Sequence, residues 1–177
     1  NAGNVLNNNG NGPDTLNGSN VAISQVNLTV TTPATPIGNN PVPSISTTTG
    51  QVSVPPGTPA GTYTMVYQIC EKLNPTNCDP ATVTVTVTPP AIIAQDDTIN
   101  GGNGTTGNPN AGNVLNNNGN GPDTLNGSNV AISQVNLTVT TPATPIGNNP
   151  VPSISTTTGQ VSVPPGTPAG TYTMVYQ

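Results

Sequence analysis

The sequence contains no histidine, phenylalanine or tryptophan, and its one basic side chain is Lys72. Each absence excludes something. Without an imidazole, no serine or threonine has a plausible base to activate it, and no catalytic triad can be assembled. No enzymatic activity is expected. Nucleic-acid binding requires several cations to displace counterions from phosphate, and one lysine cannot supply them. A polybasic membrane contact fails for the same reason. No apolar run approaches the length of a bilayer span, so no direct membrane insertion is expected. Charged residues make up only 4% of the chain.

Glycine (20 residues) and proline (21) are abundant instead. They leave little room for helices, and no stretch carries a sustained helical period. Alternation of period two is clear. Val26, Leu28 and Val30 share one face of VAISQVNLTVTT, while Val21 and Ile23 have the opposite parity, which predicts a bulge or bend near Gln25. PSISTTTGQVSV reads as two short strands joined at TTTGQ. GTYTMVYQIC places Tyr63, Met65, Tyr67 and Ile69 on one face. ATVTVTVT places Val83, Val85 and Val87 on one face and its threonines on the other. AIIAQDDTI is a further strand candidate, and NVL a short one.

Residues 1–68 and 110–177 are identical, an offset of 109. That period is too long for a stacking solenoid element and suits a self-sufficient domain. Pro89 and Pro90 interrupt the ladder and read as a linker. The expected domains are therefore 1–90 and 91–177. Short strands, turn signals and the absence of helices predict an all-β chain of tandem immunoglobulin-like β-sandwich domains. A tyrosine opening a late strand after the AGTYT turn sits where such domains place a corner tyrosine. On this register the first domain lacks its opening strand and the second its last. The chain is expected to be a window cut from a longer tandem array.

Cys70 and Cys78 bracket EKLNPTN at the inner ends of two strands that should form a hairpin. A disulfide is the reading they favour, and such bridges mark oxidising compartments. The chain-entropy contribution for so short a loop is roughly 2–3 kcal/mol. Two thiols without histidine cannot complete a zinc shell, and the spacing is far from a redox C-x-x-C. Asp96 and Asp97, beside asparagine-rich loops, are candidate calcium ligands. Against that, neighbours on a strand point to opposite faces. No other cofactor is implied. NGGNGTTGN lacks the lysine and helix of a phosphate loop and reads as a flexible connection. The threonine row of ATVTVTVT suits the wet face of a strand. Asn17, Asn27 and Asn103, with the copies Asn126 and Asn136, fit N-x-Ser/Thr, which matters only in a host with that pathway.

GTYTMVYQICEKLNPTNCDPATVTVTV, together with AQDDT, GNVLNN and LNG, resembles the tandem repeats of giant Bacteroidetes surface proteins, the SprB-like gliding adhesins. The matches span nearly the whole repeat, and the cysteine hairpin is their specific part. The resemblance implies export by the type IX secretion system and display as a filament on the outer cell surface. It also implies movement with the gliding machinery, with neighbouring repeats of the same chain as partners. It brings no catalytic residues. Asp-Thr-apolar triplets at Thr15, Thr98 and Thr124 resemble the O-glycosylation consensus of exported Bacteroidetes proteins; turn chemistry at a strand start is the other reading. Two functional expectations follow. One is a structural spacer in the adhesin shaft. The other is a module binding carbohydrate or an external surface through many weak contacts.

Overall fold

The computed structural model describes residues 2–177. They form two compact units, Asn1–Pro89 and Pro90–Gln177. Among the described residues there is no α-helix, and the secondary structure is several small antiparallel sheets.

The first unit contains β1 (Gly3–Asn4), β2 (Thr15–Leu16), β3 (Ser19–Asn20), β4 (Val26–Thr32), β5 (Ser44–Ile45), β6 (Gln51–Ser53), β7 (Gly61–Glu71) and β8 (Cys78–Val87). One sheet has the order β4-β7-β8 and another the order β1-β6-β5. β7 is the central strand, paired on both sides with antiparallel neighbours. Its alternation sends Tyr63, Met65 and Tyr67 inward, all buried, while Thr62 and Thr64 stay exposed. Opposite them on β8 stand Val85, Val83 and Ala81. Side chains from both sheets meet in one cluster: Val26 and Leu28 from β4, Ile45 from β5, Val52 from β6 and the β7 trio. The valines of β8 pack on the same cluster from the edge. Pro80 is tolerated within β8 because that strand is the edge of its sheet.

The turns follow residue chemistry. Leu16 and Ser19 pair across Asn17-Gly18, both with positive φ (51° and 76°), a two-residue hairpin that Asn-Gly favours. In TTTGQ, Gly50 has φ 73°, and a Cβ there would lie 2.8 Å from the Asn4 side-chain oxygen. Asn4 Nδ2 donates to the Thr49 carbonyl at 2.7 Å, which clamps this turn to β1. The bend expected near Gln25 is a turn closed by the Gln25 N–H donating to Ala22 O.

The second unit contains β9 (Ile92–Ile93), β10 (Asn108–Asn113), β11 (Thr124–Leu125), β12 (Ser128–Asn129), a 3-10 turn (Ile132–Gln134), β13 (Val139–Thr141), β14 (Ser153–Ile154), β15 (Gln160–Val163) and β16 (Val175–Tyr176). Its sheets are β10-β15-β14, β12-β11-β9 and the pair β13–β16. The strand expected over AIIAQDDTI is largely absent. Only Ile92–Ile93 pair in a strand, with β11, and Asp97 makes an isolated bridge to Gly119. The reason is that polar partners other than a strand take the backbone here: Gln95 N–H donates to the Asp123 carboxylate, and Thr98 N–H to Asn118 O.

Identical residues thus sit in two surroundings. Met65 is 1% exposed, whereas its copy Met174 is only half-buried. Met65→Ala should cost the first unit about 2–5 kcal/mol. Met174→Ala should cost the second unit less than about 1.5 kcal/mol, because less area leaves the core. Calorimetric unfolding of the two variants checks this, and equal losses would contradict the difference in packing.

Candidate functional site

The polar groups with the most unusual surroundings lie at the inner ends of the two copies of the GTYTMVYQ strand. In the first unit the buried Tyr67 hydroxyl lies 2.8 Å from Asp14 Oδ2 and 3.2 Å from Val5 O. Strand alternation carries the phenol inward, and the segment before the β2–β3 hairpin brings Asp14 to it. Burial, reinforced by the Asp14 carboxylate, pushes the Tyr67 phenol far above its ordinary value, so it remains a proton donor.

The second unit adds a second carboxylate. The Tyr176 hydroxyl lies 3.0 Å from Asp97 Oδ2 and 3.2 Å from Asp123 Oδ2. The carbonyls of Gln95 and Val114 are each 3.1 Å away. One phenol proton therefore faces two carboxylates and two carbonyls. Asn118 Nδ2 donates to Asp97 Oδ1 at 2.8 Å, and the Gln95 N–H donates to Asp123 Oδ1 at 2.8 Å. Asp123 is buried. Burial raises the Asp97 carboxyl above its ordinary range; hydrogen bonds from Asn118 and Tyr176 oppose this, and the charges of Asp123 and Asp96 add to it. The Tyr176 phenol stays protonated, its value also raised chiefly by burial.

The structure separates the two candidate calcium ligands. Asp97 points inward to Tyr176, while Asp96 is exposed and its carbonyl accepts from Asn120. The carboxylate that meets Asp97 is Asp123, more than twenty residues away in sequence and not singled out as a ligand by the sequence reading. A hard cation wants six to eight oxygens. No group of three or more acidic, histidine or cysteine side chains suited to a metal occurs among the described residues.

Cys70 and Cys78 form a disulfide across the paired ends of β7 and β8. Beside it, hydrogen bonds from Asn74 and Asn77 lower the Glu71 carboxyl. Lys72 reaches back to the loop before β4, with Nζ donating to Ser24 O at 2.9 Å. Thr15 and Thr98 are exposed, whereas Thr124 is half-buried in β11 between Ile93 and Asn129. The two Asn-Gly hairpins were not among the expected turns, although that dipeptide flanked by apolar residues is their signal.

No protein-family model, no curated protein and no solved structure matches the chain.

The Asp97 surroundings fix a pH response. A carboxyl whose folded value is raised binds protons more readily when folded, so stability falls as pH rises from the ordinary value of 3.8 through the folded one. Asp97→Asn, a neutral stand-in for the protonated acid, should stabilise the second unit at neutral pH relative to the parent. The gap should close as pH falls through the folded Asp97 value. Melting curves across that range test it, and a gap independent of pH would contradict the assignment.

Proposed function

We propose that the chain is a stretch of shaft from a long, filamentous bacterial surface adhesin, with immunoglobulin-like sandwich units serving as spacers. The observation that carries this is the repeat itself. The same 68 residues occur twice without a change, once in each of two compact units. A site under separate selection in each copy would drift; a spacer has only to fold and add length. By strand rise, a unit whose strands lie along the filament contributes roughly 30–50 Å.

Three features favour the immunoglobulin-like reading. Two antiparallel sheets contribute to one core in the first unit. The Tyr63 hydroxyl donates to Pro59 O at 2.8 Å, and its copy Tyr172 to Pro168 O at 2.9 Å. A tyrosine at a strand start bonded to a carbonyl a few residues upstream is the corner that such domains use. The antiparallel neighbours β2–β3, β5–β6 and β7–β8 are joined by turns or short loops.

The disulfide suits an oxidising exterior, and the near-absence of lysine and arginine removes most tryptic cleavage sites. Export by the type IX secretion system, attachment at the outer membrane and movement with the gliding machinery complete the proposal, and these come from the resemblance of the cysteine hairpin and its flanks. Attachment to a polysaccharide or another surface through many weak contacts has less support. Its usual aromatic platforms are missing, since all four tyrosines have inward parity and Tyr63 and Tyr67 are buried.

Antibodies raised against residues 69–109, the stretch present once, should decorate filaments on intact cells of the source organism. Labelling only after the cells are opened would reject the proposal.

A further inference from the structure

The one basic side chain of the sequence, Lys72, lies inside the loop that the disulfide closes. Residues 72–77 form the tip of the β7–β8 hairpin and are all exposed. Leu73, which follows the lysine, is 89% exposed. Within the tip, the Asn77 N–H donates to Asn74 O at 2.8 Å, and the Glu71 N–H to Asn77 O at 3.0 Å. Lys72 is anchored at the surface: its N–H donates to Gln25 O at 3.0 Å, and its Nζ donates to Ser24 O and Ile23 O. Exposed tips of this kind are where proteolytic nicking concentrates.

An endoprotease that cuts after a basic residue holds that side chain in an acidic pocket, and this sequence offers it a single side chain. The bond at risk joins Lys72 to Leu73. The residue after the lysine is not proline, so the amide to be cut carries an ordinary N–H. The ladder between β7 and β8 lies wholly outside the tip. Its pairs run from Gly61 with Val87 to Cys70 with Cys78, and residues 72–77 belong to neither strand. The two cysteines, with Cα atoms 4.1 Å apart, give a second covalent path from β7 to β8 that bypasses the bond.

We propose that the hairpin tip is a cleavage site for endoproteases that cut after a basic residue, and that the Cys70–Cys78 bridge keeps the chain continuous across the cut. Lys72 Nζ leaves Ser24 O and Ile23 O to enter the acidic pocket, exchanging exposed hydrogen bonds for a charge pair. Water adds to the Lys72 carbonyl carbon, and the bond to the Leu73 nitrogen breaks. Lys72 gains a carboxylate and Leu73 an amine. The product is two chains joined by one disulfide. β8 stays tethered to β7, so its pairing with that strand remains intramolecular and outcompetes dissociation. The bridge thus makes the one bond open to this class of protease a bond the fold can lose. The site is set by Lys72 and the bridge, and does not depend on where the protein resides in the cell.

The test uses the intact, oxidised 177-residue chain and trypsin under native conditions, with no substitution in the chain, so that its folding is untouched. Intact-mass measurement should show conversion to one product, heavier than the parent by a single water. In denaturing electrophoresis that product should run as one species without reductant. On reduction it should part into residues 1–72 and 73–177. Calorimetry of the cut, unreduced chain should retain the unfolding transition of the first unit. A native chain left whole by trypsin that cuts the reduced, denatured chain would overturn the proposal. So would pieces that separate without reductant, or loss of the first unit's transition once the bond is cut.

Discussion

Strand alternation along Gly61–Glu71 is the constraint on which the first unit depends. A period of two leaves no freedom: once Met65 is inside, Tyr63 and Tyr67 are inside as well, and Thr62 and Thr64 are out. The core has no phenylalanine or tryptophan, so the two tyrosines are its largest side chains. A slip of one residue would expose all three and bury threonines instead. The register is pinned at one end by the Cys70–Cys78 bridge and at the other by the Tyr63 hydroxyl on the Pro59 carbonyl. The phenol of Tyr67 ties the middle of the strand to Asp14 and Val5, which belong to the opening segment.

The duplicated sequence makes the molecule its own control. Val54 is 37% exposed, while its copy Val163 is 7% exposed. The difference comes from the residues after the linker: Gly101 lies so close to Val163 that a Cβ on it would be 3.0 Å from that side chain. Gly104 packs on the Thr167 backbone in the same way, and Thr167 is buried. Glycines there are what let one loop lie flat against the sheet. Likewise Tyr67 meets one carboxylate, whereas its copy Tyr176 meets two, because residues 95–97 supply Asp97. Local sequence decides which side chains face inward; the flanking segments decide how fully they are covered.

Much of this was legible from residue types alone. The parity of Val26 and Leu28, the inward tyrosines, the TTTGQ turn and the Cys70–Cys78 hairpin are short-range consequences of alternation and turn chemistry. The segment AIIAQDDTI was not legible, because its backbone is satisfied by the side chain of Asp123 and the carbonyl of Asn118, distant groups that no local pattern reveals. The meeting of Asp97 with Asp123 was hidden for the same reason: the tempting signal was adjacency to Asp96, and adjacency on an extended chain separates side chains. The Asn17-Gly18 hairpin was available in principle, from a dipeptide that accepts two left-handed residues in succession.

The position of the disulfide has a mechanical consequence. It closes a loop of only eight peptide spans, Cys70 to Cys78. If the first unit were pulled apart from its two ends, the bridge would withhold roughly 28 Å of contour length, at up to about 3.5 Å per residue. Almost all of the chain would still pay out. The bridge therefore shortens the extension of the unit by that small amount without guarding the rest of the fold against rupture.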